Sequence, residues 1–81
     1  MNDQLTAEIR SLVAKVIKLP AEKVGLDADI FSELGVDSLL GVEIFAALDK
    51  KYNLDIPESR LENVATVRDI VKLVEELTAK R

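Results

Sequence analysis

Phe31-Ser32-Glu33-Leu34-Gly35-Val36-Asp37-Ser38-Leu39-Leu40-Gly41-Val42-Glu43-Ile44 is the stretch on which the reading of this chain turns. A glycine-containing turn delivers Ser38 to the start of a helix that the following residues predict. Side chains in a first helical turn point outward, and the backbone N–H groups there have no intrahelical partner. A phosphate attached at Ser38 would therefore sit in the favourable field of the helix N-terminus. Asp37 is well placed as N-cap, but its charge opposes that field. Its position asks for a second reason, such as recognition or metal binding by a modifying enzyme.

Outward from this stretch, the pattern is helical throughout. Ser38 to Tyr52 carries apolar residues at Leu39, Val42, Ile44, Phe45, Leu48 and Tyr52, and Asn53 supplies a C-terminal stop. Upstream, Leu5, Ile9, Leu12, Val13, Val16 and Ile17 recur at three- and four-residue intervals, which predicts a helix over Asp3 to Lys18. Asn2 or Asp3 can cap it and Pro20 limits it. Between the two lies a long connection from Leu19 to Val36. One helical turn is expected at Pro20 to Val24, and Val24, Leu26, Ile30, Phe31 and Leu34 are apolar enough to pin the connection onto a core. Downstream, Asp55-Ile56-Pro57-Glu58-Ser59 opens a short helix to about Asn63, with Pro57 in its first turn. The last helix runs from Thr66 to about Ala79, with Thr66 and Asp69 approximating a capping box and Val67, Ile70, Val71, Val74 and Leu77 as its apolar stripe. No strand-like alternation competes. The expected architecture is an all-α single domain over residues 1–81, a small four-helix bundle of three long helices and one short one, with a long structured loop between the first and second helices.

Composition narrows the function. The chain has 81 residues, 48% of them apolar and 32% charged, which suits one modest globular core. It contains no Cys and no His, so disulfides, Ser–His or Cys–His nucleophiles and ordinary zinc sites cannot be built from it. No enzyme activity and no metal site of its own are expected. A net charge of −4 disfavours nucleic acid and anionic membranes, and favours partners with basic docking patches. No apolar run approaches a membrane span, and the first residues carry no signal-peptide pattern. A cytoplasmic monomer without stable membrane association is the expectation.

Leu34-Gly35-Val36-Asp37-Ser38-Leu39 resembles the signature of the acyl carrier protein family, whose Ser receives 4′-phosphopantetheine from coenzyme A. The resemblance extends through Phe31, Val42-Glu43, Leu48 to Tyr52, Asp55-Ile56-Pro57 and Ala65-Thr66-Val67, and covers Leu5 to Leu77 in order and spacing. It implies that Ser38 is the attachment site and that Asp37 presents the site to a phosphopantetheinyl transferase. It further implies that Leu40, Val42, Glu43, Ala46 and Asp49 contact partner enzymes, and that Ile44, Phe45, Leu48, Leu61 and Ile70 line a pocket for the acyl chain. The implied partners are the transferase and the acyl-transferring and chain-modifying enzymes of fatty acid, polyketide or related lipid biosynthesis.

Departures from the family pattern bear on the kind of carrier. Leu40 and Gly41 stand where fatty-acid-synthesis carriers usually have an acid and a small polar residue, and Asp49-Lys50-Lys51 replaces a run of acids. The docking face is thus less acidic and more apolar, as in a specialised carrier. Leu40 leans toward peptidyl and polyketide carriers, whereas Asp37 differs from the His common in peptidyl carriers. An aminoacyl, D-alanyl or peptidyl carrier is the alternative of the same kind, and an unmodified helical interaction module is the alternative of a different kind.

Overall fold

A computed structural model describes residues 3–79; the cap expected at Asn2 lies outside the described residues. Helix α1 spans Asp3–Ile17 and buries Thr6, Ile9, Val13 and Ala14. Leu5, Leu12, Val16 and Ile17 are half-buried beside that stripe. It ends one residue before the expected Lys18, which takes a left-handed backbone with φ 62°. The Leu19 N–H then donates to the Ala14 carbonyl at 3.0 Å and the Lys18 N–H to Lys15 at 3.3 Å, so the turn closes on itself before Pro20.

The connection to α2 is ordered by its own polar groups and by three anchors. Ala21–Lys23 makes the expected turn, as a 3-10 turn. Arg10 Nε donates to the Val24 carbonyl at 2.7 Å, tying the turn to α1. Asp29 Oδ1 accepts from the N–H groups of Phe31 and Ser32, each at 2.9 Å. These bonds hold the Asp29 carboxyl below the ordinary carboxylate range. Val24, Ile30 and Val36 are buried, at 0%, 1% and 4% exposure. Burying one such side chain is worth about 2 kcal/mol, enough for three of them to hold an irregular segment in place. The far end of the fold grips it as well: Ile30 N–H donates to the Ala65 carbonyl at 2.7 Å, and Arg68 pairs with Asp27 at 2.7 Å.

Helix α2 spans Ser38–Tyr52 and buries Gly41, Ile44, Phe45 and Leu48. Asn53 terminates it in the left-handed region at φ 55°. The short fourth element, Glu58–Asn63, is a 3-10 segment rather than an α-helix, with Pro57 as its N-cap instead of in its first turn. Only six residues separate Pro57 from the extended, buried Val64, so the chain closes with tighter three-residue bonds, including Val64 N–H to Leu61 at 3.2 Å. Helix α3 spans Val67–Ala79 and buries Val67, Ile70, Val71, Leu73 and Val74. Its capping box forms in both directions: Asp69 N–H donates to Thr66 Oγ1 at 3.1 Å, and Thr66 N–H to Asp69 Oδ2 at 3.2 Å. The core lies between the three α-helices, with α1 packed on both α2 and α3.

Candidate phosphopantetheine attachment site

The site is built from the turn upward. Gly35 has φ +70°, a conformation an L side chain resists, and it turns the chain so that Val36 is buried while Asp37 and Ser38 emerge. Asp37 is extended (φ −90°, ψ 177°), and its Oδ1 accepts from the Leu40 N–H at 2.8 Å. Its carbonyl accepts the first helical bond from the Gly41 N–H at 2.9 Å. Asp37 is therefore the N-cap, and Ser38 is the first helical residue, exposed.

Beside Ser38 lies a surface hollow of about 330 Å³, lined by Phe31, Val42, Leu61, Glu58 and Glu62 as well as Ser38 itself. Phe31, Val42 and Leu61 give it an apolar part, and Ser38 and the two glutamates of the 3-10 segment a polar part. Gly41 makes this arrangement possible. A Cβ on Gly41 would stand 3.1 Å from Leu61 Cδ1 and 3.2 Å from Phe31 Cε1, so the absent side chain lets the loop and the 3-10 segment close against α2.

The residues implied as partner contacts separate on this frame. Ala46 and Glu43 are exposed and Val42 is half-exposed at the hollow. Leu40 is half-buried against the core; the exposed apolar residue is its neighbour Leu39, at 73%. Asp49 is half-buried, and its Oδ1 accepts from the Ile56 N–H at 3.0 Å, so this carboxylate is engaged in holding the chain after α2. Glu43 turns toward a separate groove of about 830 Å³ between α1 and α2, which it lines with Leu12, Lys15, Ala47 and Lys51.

Of the five residues implied as pocket lining, Ile44, Phe45, Leu48 and Ile70 are core residues, each below 5% exposure. Leu61 alone of the five lines the hollow at Ser38. Phe31, Glu58 and Glu62 also line the hollow, and no local sequence pattern marks them for it. Leu39 had a usable signal: with Gly41, Ile44, Phe45 and Leu48 facing inward, a residue two before Gly41 falls on the opposite side of the helix.

The residues present fit the prosthetic group that the resemblance implies. Ser38 is exposed at a helix start, and space lies beside it. No group of three or more acidic residues placed to hold a metal ion occurs among the described residues.

Comparison with known proteins agrees with this geometry. The family described as phosphopantetheine attachment site matches residues 7–74. An acyl carrier protein of Helicobacter pylori is 35% identical over 72 residues, covering 89% of this chain and 92% of that protein. One from Campylobacter hominis is 32% identical over 74 residues, covering 91% and 94%. Among solved structures, the apo doublet acyl carrier protein from prodigiosin biosynthesis superposes with TM-score 0.80 at 20% identity, over 91% of this chain and 36% of that one. The HMG-ACPI domain from the CurA module of Lyngbya majuscula gives 0.79 at 21%, over 94% and 77%. The match over residues 7–74, together with these relatives above 30% identity, places this chain in the acyl carrier protein family, the family of the phosphopantetheine attachment site.

Proposed function

We propose that Ser38 carries 4′-phosphopantetheine and that the chain is a mobile carrier, not a catalyst, moving acyl intermediates between separate enzymes of fatty acid, polyketide or related lipid biosynthesis. The observation that carries this reading is the exposed Ser38 at the first turn of α2, beside a hollow lined in part by Phe31, Val42 and Leu61. In the modification the Ser38 oxygen gives up its proton and forms a phosphodiester with the phosphorus of coenzyme A that bears the pantetheine, with adenosine 3′,5′-bisphosphate leaving. The bound group supplies a terminal thiol that holds acyl loads as thioesters.

The chain's own residues do the rest. Asp37 fixes the start of α2 and so the direction in which the Ser38 hydroxyl points. Phe31, Val42 and Leu61 offer an apolar surface next to the attachment point, with Glu58 and Glu62 at its edge. Ile44, Phe45, Leu48 and Ile70 hold α2 rigid against the other helices, and space for an acyl chain among them requires the core to open. The partners are a phosphopantetheinyl transferase and acyl-transferring and chain-modifying enzymes, met one at a time by a monomeric carrier in the cytoplasm. No helix among the described residues is long and apolar enough to cross a membrane.

The test is direct. The protein is incubated with coenzyme A and a broad-specificity phosphopantetheinyl transferase, and its intact mass is recorded. A gain of one phosphopantetheinyl group that disappears in Ser38→Ala supports the reading. No gain with several transferases, on a folded protein, leaves an unmodified interaction module in its place. Mass spectrometry of protein purified from its own host then separates acyl from aminoacyl loads.

A further inference from the structure

The groove between α1 and α2 carries four charged side chains, two on each wall: Glu8 and Lys15 on α1, Glu43 and Lys51 on α2. The Tyr52 hydroxyl reaches Glu8, and Lys51 Nζ lies 5.8 Å from the centre of the Tyr52 ring, so Glu8 and Lys51 mark one end. The two helices run in opposite directions, which leaves Lys15 and Glu43 at the other end. Glu8 and Lys15 are seven positions apart and Glu43 and Lys51 eight, about 10 and about 12 Å of helix. The four charges therefore alternate in sign around a nearly rectangular patch. Ser11, Leu12 and Ala47 lie between them and are small or apolar.

Lys15, Glu43 and Lys51 make no ion pair among the described residues. Glu8 accepts from two neutral donors, the Tyr52 hydroxyl and the Gln4 amide, which leave its charge unoffset. A two-fold axis in the plane of the patch, along the helices or across them, brings every corner against one of opposite sign on a second copy. A partner surface of uniform charge finds no such match, because it meets two like charges whichever its sign.

We infer that the α1–α2 groove is a self-association surface, on which a second copy of this chain docks face to face through four carboxylate–ammonium contacts around Leu12 and Ala47. Ala47 lies nine positions beyond Ser38, on the opposite side of α2, so both copies keep their serines open. The patch is small, and small interfaces are weak and transient. The net charge of −4 on each chain opposes pairing further. Dilute protein is therefore the monomer of the carrier reading, and the pair forms where copies are concentrated.

Pairing needs no group on Ser38, so the unmodified full chain is the sample. Sedimentation equilibrium is expected to show the average mass rising above 9.0 kDa with a Kd on the order of 1 mM. Amide shifts that move on dilution should fall on the sides of α1 and α2 that carry the four charges. Lys15→Glu combined with Lys51→Glu surrounds the groove with carboxylates and should weaken pairing by about tenfold or more. Mixing that variant with Glu43→Lys should restore a pair, now between unlike chains. Lys23→Glu combined with Lys72→Glu alters net charge equally at residues outside the groove. At about 0.15 M salt it should change Kd by less than about threefold. Each variant is first matched to the parent in helix content. A mass that stays at 9.0 kDa at millimolar concentration overturns the inference and leaves the groove to a different occupant. Equal weakening by the two double variants overturns it as well, since bulk charge would then govern pairing. So does a mixture that fails to pair, or dilution shifts confined to other surfaces.

Discussion

The Tyr52 hydroxyl, at the last residue of α2, donates to Glu8 Oε1 on α1 at 2.9 Å, a side-chain bond across 44 residues of sequence. Burial and the neighbouring Glu8 carboxylate push the Tyr52 phenol from 10.0 up to about 12. The raised value means that the folded state holds the proton more tightly than the unfolded chain. The stabilisation is therefore complete below pH 10 and is lost as pH rises from about 10 towards about 12. Tyr52→Phe should lower stability at pH 7 by about 1 kcal/mol and flatten this alkaline loss. Urea titrations at neutral and alkaline pH measure both. An unchanged alkaline loss in Tyr52→Phe would assign it to other groups.

Asp37 has two separable duties. As N-cap, its carboxylate satisfies the Leu40 N–H, and Asp37→Ala should cost about 1 kcal/mol. Asp37→Asn keeps an acceptor oxygen and should retain most of that stability. If the negative charge also presents Ser38 to the transferase, Asp37→Asn will slow modification at least tenfold while melting close to the parent. Equal modification rates for Asp37→Asn and the parent would leave Asp37 as a cap alone.

Gly41 and Leu61 should be energetically coupled. Alanine at 41 gains about 1 kcal/mol of helix propensity. Against that gain, its Cβ meets Leu61 Cδ1 at 3.1 Å and Phe31 Cε1 at 3.2 Å. Gly41→Ala should therefore change stability by less than about 1 kcal/mol, whereas Gly41→Leu should destabilise by 2 kcal/mol or more, as overpacking does (about 1–3 kcal/mol). In the Leu61→Ala background Gly41→Ala should become stabilising. A double-mutant cycle measures the coupling, and additivity within about 0.3 kcal/mol would show that the two residues act independently.

Asp49 and Glu43 resemble each other in sequence and differ in the fold. Asp49→Ala leaves the Ile56 N–H without its acceptor and should cost about 1–2 kcal/mol. Glu43→Ala removes an exposed carboxylate and should stay within about 0.5 kcal/mol of the parent. Thermal melts of the two variants side by side give the comparison. Equal losses would contradict the structural role assigned to Asp49.

Much of this protein was legible in its sequence because the governing interactions are local. Apolar spacing of three and four residues set α1, α2 and α3, and Asp37, Asn53 and the Thr66–Asp69 pair marked ends within a residue of where they lie. Ser38 at the head of α2 followed from the turn before it. The side of α2 on which each residue lies was a different matter. Leu39 and Leu40 are adjacent and chemically identical, yet one is 73% exposed and the other packs on the core, because Phe31 and Leu61 close over Gly41 and fix the rotation of α2. Likewise, Asp49 became a backbone acceptor only because Ile56 returns beside it, and Phe31, Glu58 and Glu62 reached Ser38 only because the loop and the 3-10 segment fold against α2. Sequence alone thus determined the three long helices, their ends and the place of Ser38 at the start of α2, since each depends on neighbours a few residues away. Tertiary packing decided which side chains surround that serine and which side of α2 stays exposed, since those depend on contacts between segments far apart in the chain.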